Sequence, residues 1–264
     1  MITPFMNNPI GIIDSGVGGL SITSKLIEKL PNESFIYLAD SKNCPYGNKS
    51  AKQIYDLTKK MVDFLLWKDI KLLIVACNTI TVTSIEKLRK NYPKLPIIGI
   101  VPVIKTAVEK TKNNKIGIFS TTVTADSQYQ RSLIDKFAKG YKVVNIGSGD
   151  LVPLIEKLDF EAIDKVLKQE LAIFKTAKID VLVLGCSHFP LIQAQIQKEL
   201  ANVLILDSAI AVSHQVGRIL EHNNIVSSSA NPSYTFYTTG DLKSMSHFVN
   251  KLTTKGKVER ISIQ

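Results

Sequence analysis

Two cysteines stand where strand-like apolar runs stop abruptly at polar groups. Leu72-Leu73-Ile74-Val75-Ala76-Cys77-Asn78-Thr79 is one, and Val181-Leu182-Val183-Leu184-Gly185-Cys186-Ser187-His188 is the other. Such a run reads as a buried parallel strand delivering a thiol to its C-terminal edge, where open α/β sheets bind ligands. One thiol from each half of a molecule suits a reaction that needs a base on one face of a carbon and an acid on the other. A thiol with a reference pKa of about 8.5 can serve as either near neutral pH. The bland alternative is an inert buried cysteine, the common fate of the residue. Two at equivalent places, each beside hydrogen-bonding side chains, argue against it.

The elements that must position these thiols follow from the hydrophobic pattern. Strand-like runs at Ile10–Ile13, Phe35–Leu38, Leu72–Ala76 and Ile97–Val101 alternate with helix-like stretches near 19–30, 50–67 and 80–91. The pattern resumes with Ile116–Phe119, Val143–Ile146, Val181–Leu184 and Val203–Leu206, and with helices near 125–138, 161–177 and 190–200. Alternation of this kind predicts parallel sheets with helices on both faces. A further helix is expected from Asp207 to Glu221, a surface loop over Ser227–Pro232 and a late strand over Tyr234–Tyr237. There is also an internal repeat. Ile10-Gly11-Ile12-Ile13-Asp14-Ser15 aligns with Ile116-Gly117-Ile118-Phe119-Ser120-Thr121, at nearly the offset that separates the two cysteine runs. The expectation is two similar α/β halves facing each other across one cleft, with the segment from about 208 packed on one of them.

The bulk properties narrow the function classes. A chain of 264 residues with 45% hydrophobic content builds a real core in one large domain or two smaller ones. No apolar stretch approaches the roughly 18 residues that span a bilayer, and Met1–Asn8 lacks the pattern of a signal peptide, so a cytoplasmic location is expected. Three widely spaced cysteines do not form a disulfide framework. The net charge of +10 is spread along the chain instead of concentrated with aromatics, which speaks against nucleic acid as the main partner and fits a field that attracts a small anion.

Other segments carry weaker signals. Asp14-Ser15-Gly16-Val17-Gly18-Gly19-Leu20-Ser21 joins the first strand to the first helix, and its glycines allow backbone amides to approach an anionic ligand. It is neither a complete dinucleotide fingerprint nor a P-loop. Asp40-Ser41-Lys42-Asn43-Cys44-Pro45-Tyr46-Gly47 reads as a loop after the second strand. Cys44 has no polar companion of the kind Cys77 and Cys186 have and is taken as a bystander. His214, His222 and His247 read as surface or packing residues. A structural zinc site would want four ligands at short spacing, and Cys186-x-His188 with Cys77 supplies at most three.

Taken in order, Asp14-Ser15-Gly16-Val17-Gly18-Gly19, Ala39-Asp40 with Pro45-Tyr46-Gly47, Ala76-Cys77-Asn78-Thr79 and Gly185-Cys186-Ser187-His188-Phe189-Pro190-Leu191 resemble bacterial glutamate racemases. These belong to the cofactor-independent aspartate/glutamate racemase superfamily. The resemblance covers roughly residues 9 to 240. Ser187 stands where the family usually has threonine, which keeps the hydroxyl, and Ile80-Thr81 replaces commoner small residues.

The resemblance implies two doubly wound α/β domains related by pseudo-two-fold symmetry, residues 1–98 with 209–264 and residues 99–208, with the active site between them. It implies interconversion of L- and D-glutamate for peptidoglycan synthesis, without pyridoxal phosphate or metal, in a protein that is commonly a homodimer. Cys77 and Cys186 are then the two catalytic bases, with Asp14 beside the first and His188 beside the second. Cys77 takes the proton from D-glutamate while Cys186 donates from the other side, and the roles exchange for L-glutamate. An anionic Asp14 disfavours a Cys77 thiolate, so its role is either proton acceptor or partner to the substrate ammonium. Substrate binding falls to Asp14, Ser15, Tyr46, Gly47, Asn78, Thr79, Thr121, Thr124, Ser187 and His188. A related racemase of aspartate or hydantoins, a thiol redox protein and a non-catalytic binding module are the rival readings.

Overall fold

A computed structural model of the chain describes residues 4–253 and 256–263. Ten strands form two all-parallel sheets. The first sheet contains β1 (Ile10–Asp14), β2 (Phe35–Ala39), β3 (Leu72–Val75), β4 (Ile97–Gly99), and, from the far end of the chain, β9 (Tyr234–Thr238) and β10 (Lys257–Arg260), in the order β10-β9-β2-β1-β3-β4. The second contains β5 (Lys115–Thr121), β6 (Lys142–Ser148), β7 (Val181–Gly185) and β8 (Leu204–Leu206), in the order β6-β5-β7-β8. The run β2-β1-β3-β4 of the first sheet and the four strands β6-β5-β7-β8 of the second therefore have the same order. β5 occupies the place of β1, and β7 that of β3, as the internal repeat predicts.

Helices connect the strands. Those of the first half are α1 (Leu20–Lys29), α2 (Ala51–Trp67) and α3 (Asn78–Asn91), followed by α4 (Ile104–Lys110), α5 (Thr122–Ala125) and α6 (Gln128–Phe137). Next come α7 (Leu151–Lys157), α8 (Phe160–Glu170), α9 (Ala172–Ala177) and α10 (Gln193–Glu199), and last α11 (Ala209–His222) and α12 (Leu242–Leu252). The single helix expected near 161–177 is two, broken at Leu171, and the stretch near 125–138 is likewise divided. The short α4 and α7, seven residues each, fall below the reach of periodicity, and α12 and β10 were not expected.

Every residue of β1 and β3 is buried, because helices cover both faces of a parallel sheet. Alternation along the strands assigns the faces. Ile10, Ile12, Leu72 and Ile74 pack into a central core, while Ile13, Leu73, Val75 and Cys77 pack against α2 and α3 on the other side. In the second sheet Leu182, Leu184 and Cys186 face that same central core, and Val181 and Val183 face α4 and α6. One apolar layer thus runs continuously between the two halves and brings the C-terminal edges of β1, β3, β5 and β7 together.

Candidate active site

At those edges lies a cavity of about 220 Å³, below the roughly 300–1,000 Å³ of pockets for drug-sized ligands. Ser15 and Cys77 reach it from the first sheet, and Thr121, Ser148 and Cys186 from the second. Both thiols are free and nearly completely buried. Of the other expected residues Tyr46, Gly47, Asn78, Thr79, Ser187 and His188 line it and Asp14 and Thr124 do not; no lysine or arginine is among its lining residues. Hydroxyls, amides and His188 share the wall with the apolar Pro45, Val152 and Pro153, an arrangement suited to a small molecule carrying a few polar groups.

Cys77 is the N-cap of α3. Its sulfur sits at the positive end of a helix, with the Ile80 amide turned to it and the Ser15 hydroxyl 3.6 Å away. Burial outweighs these and, with the charge of Asp14, pushes the thiol up to about 12. Asp14 ends β1, is wholly buried and does not itself line the cavity. Its Oδ1 accepts from the Gly16 amide at 2.9 Å and from the Ser15 hydroxyl at 3.3 Å, while Oδ2 has no partner. Burial raises this carboxyl to about 6 against the opposing charge of His188.

His188 follows β7 by three residues and is 1% exposed. Its Nε2 lies 2.7 Å from Glu156 Oε1 of α7. Burial alone would lower its pKa, but hydrogen bonding with Cys186, Cys44 and Glu156, together with the Glu156 charge, holds it well above the ordinary histidine value. A protonated imidazole therefore stands beside Cys186.

Several sequence expectations are corrected in detail. The glycine turn does not present its amides to the cavity. Val17 N donates to Glu156 Oε1 at 2.7 Å, so the anion met by the turn is a side chain of the other half. The glycines permit this approach: a Cβ on Gly16 would collide with Glu156, and one on Gly18 would lie 2.7 Å from the His188 backbone nitrogen. Cys44, expected to lack a polar companion, has its sulfur in one cluster with Glu156 and His188. Thr124 lies behind the wall, its hydroxyl 2.9 Å from that of Thr121, which in turn is 3.0 Å from that of Thr79. The Tyr46 hydroxyl donates to the buried Asp40 at 2.7 Å, so the residue offers the cavity its ring and backbone. Asp40 also accepts from Asn43 and Thr239 and so fixes the loop.

Glu156, Ser148, Gly149, Val152 and Pro153 were not anticipated. The Ser148-Gly149 pair ends β6, so the rule that ligands meet the C-terminal edge of a sheet could have found it. Nothing local marks Glu156, one carboxylate on a short helix.

Comparison with known proteins decides the family. Residues 10–216 match the sequence profile described as Asp/Glu/Hydantoin racemase. The chain belongs to that racemase family. This racemase is 38% identical to a glutamate racemase of Clostridium botulinum over 223 residues, covering 83% of this chain and 86% of the relative. It superposes with a TM-score of 0.87 on the crystal structure of the glutamate racemase isoform RacE1 from Bacillus anthracis, at 32% identity over 97% of this chain and 98% of that one. The glutamate racemase of Francisella tularensis, solved in complex with D-glutamate, gives a TM-score of 0.84 at 31% identity, again over 97% and 98% of the two chains.

Proposed function

We propose that the protein is a glutamate racemase that inverts the α-carbon by two-base proton transfer between Cys77 and Cys186, supplying D-glutamate for peptidoglycan synthesis in the cytoplasm. The observation that carries this reading is that two free thiols, delivered by repeat-related strands of different sheets, line one small cavity.

Inverting a stereocentre requires a proton to leave one face and another to arrive at the opposite face. In the D-to-L direction Cys77 removes the α-proton and Cys186 returns one, and the reverse reaction exchanges the roles. A Cys77 held near 12 is a strong base once deprotonated, and the substrate ammonium entering beside it offsets the burial that disfavours its thiolate. Asp14 serves either as acceptor of the Cys77 proton or as partner to that ammonium. His188, charged and tied to Glu156, is the proton partner of Cys186.

The substrate carboxylates are held by Ser15, Asn78, Thr79, Thr121, Ser187 and His188 and by the backbone at Tyr46–Gly47. Thr124 acts through Thr121. Apart from the charged His188, the donors are neutral side chains, backbone and the α3 N-terminus, which bind an anion without a lysine or arginine that would hold the ground state too tightly. The carbanion-like charge develops in a closed, water-poor cavity where fixed dipoles act strongly. The domain division belongs to the same reading, residues 1–98 with 209–264 and residues 99–208, although its first boundary falls inside β4 (Ile97–Gly99), and closure between the two commits the substrate. A homodimer is the expected assembly.

The test is circular dichroism of L- and D-glutamate, and of L- and D-aspartate, incubated with purified protein and no added cofactor. Glutamate should racemise from both sides and aspartate should not. Preferential turnover of aspartate would overturn the substrate assignment. Cys77→Ala and Cys186→Ala should each lower turnover in both directions by about 10³-fold or more, as expected for groups that transfer the proton.

A further inference from the structure

Beside the substrate cavity, three side chains that ligate transition metals converge. The sulfur of Cys44, a carboxylate oxygen of Glu156 and an imidazole nitrogen of His188 all lie within 4.8 Å of one another. Tetrahedral zinc, with bonds of about 2.0–2.3 Å, needs ligand atoms roughly 3.3–3.7 Å apart. An ion seated among the three therefore requires side-chain rotation to set that spacing, replacing the 2.7 Å hydrogen bond between His188 and Glu156. Thiolate, carboxylate and imidazole form a set for a borderline-soft ion and exclude magnesium or calcium, which want oxygen alone.

A second cavity, of about 230 Å³, leads to this cluster. It is lined by Ser41, Cys44, Glu156, Lys157, Asp241 and Ser244, and of its walls only Pro153 also borders the substrate cavity. The Ser41 and Ser244 hydroxyls are buried without a hydrogen-bond partner, and Ser244 is 8% exposed. Polar atoms left this way carry a cost that a bound ion or its water would relieve. Lys157 and Asp241, of opposite charge, are both in the lining of this cavity.

We propose that Cys44, Glu156 and His188 form an inhibitory site for zinc or a similar divalent ion, entered through the second cavity and sharing His188 with the substrate site. Binding sends the thiol proton, and the imidazole proton at the coordinating nitrogen, to solvent and seats the metal in their place, with water completing the shell. The consequence for turnover rests on the proposed role of His188 as proton partner of Cys186. A metal-bound imidazole can no longer pass a proton, so inversion stops until the ion is removed.

The experiment is a cobalt(II) titration of the full chain, read by the thiolate-to-metal charge-transfer band, alongside racemase assays with zinc and then with EDTA. The Cys77→Ala/Cys186→Ala variant leaves Cys44 as the only thiol. It should still give the band with one equivalent of cobalt, and adding Cys44→Ser should remove the band. In the otherwise native protein Cys44→Ser should weaken zinc inhibition at least about tenfold, each variant compared with its own metal-free rate, since even supporting residues of metal sites are worth that much. No band in the double variant, or undiminished zinc inhibition in Cys44→Ser, overturns the site. A band at full occupancy with undiminished racemisation overturns the inhibition, and with it the role given to His188, and leaves only the bound metal.

Discussion

Asp14 and Cys77 are two acids buried against each other, and their opposing needs make pH the informative variable. Burial keeps the Asp14 carboxyl neutral up to about pH 6, above its ordinary value of 3.8. Because the folded value is raised, the neutral form is the one the fold prefers. The stability linked to it is fully present below pH 4 and is lost as pH rises through 6. The loss is about 3 kcal/mol by linkage at about 1.4 kcal/mol per unit. Asp14→Asn keeps the shape and removes the charge. Denaturant unfolding should therefore show the variant gaining about 3 kcal/mol relative to the parent between pH 4 and pH 7.5, with turnover reduced. An unchanged difference across that range would contradict a raised Asp14. The pairing of the two thiols was legible from Cys77-Asn78-Thr79 and Cys186-Ser187-His188 alone. The His188–Glu156 contact was not, because a lone glutamate in an amphipathic stretch looks like any solvated one.

At the scale of elements, the glycine turn after β1 and the buried ion pair under β3 show how helices and strands are locked to the site. The turn was recognisable as special, yet its partner was not. Val17 meets Glu156 139 positions later, a contact fixed only when α7 docks. Gly18→Ala places a methyl against the backbone of His188, which cannot rotate away. We expect kcat to fall about a hundredfold from displaced catalytic groups, with only about 1–3 kcal/mol lost on unfolding. Wild-type kcat in this variant would show that the turn merely connects. Lys71, at the foot of β3, is completely buried and pairs with Glu33 at 2.6 Å while donating to the carbonyls of Met6 and Ile225. Glu33 in turn accepts from the Ser227 amide, so one pair ties the N-terminal turn and the 225–227 segment to the sheet. Lys71→Met should cost about 3–5 kcal/mol by stranding the carboxylate, and Lys71→Met/Glu33→Leu should recover most of it. Equal unfolding midpoints for parent and Lys71→Met would refute this.

At the scale of the whole molecule, the chain builds one four-strand pattern twice and sets the two strand edges face to face. The repeat was visible because β1 and β5 keep Ile-Gly-Ile at their starts, and the cysteine runs keep nearly the same offset. The short helices α4 and α7 and the split at Leu171 were not visible, since their ends are set by packing of the central core. The same core joins both halves, which is why groups from opposite sheets meet over so small a volume. The central claim is that two thiols act on opposite faces of one carbon, and isotope exchange tests it directly. In deuterated water, starting from either enantiomer of glutamate, product formed in the first turnovers should carry α-deuterium while recovered substrate stays protiated. Deuterium appearing in recovered substrate as fast as in product, in either direction, would mean that one base serves both faces and would contradict the account.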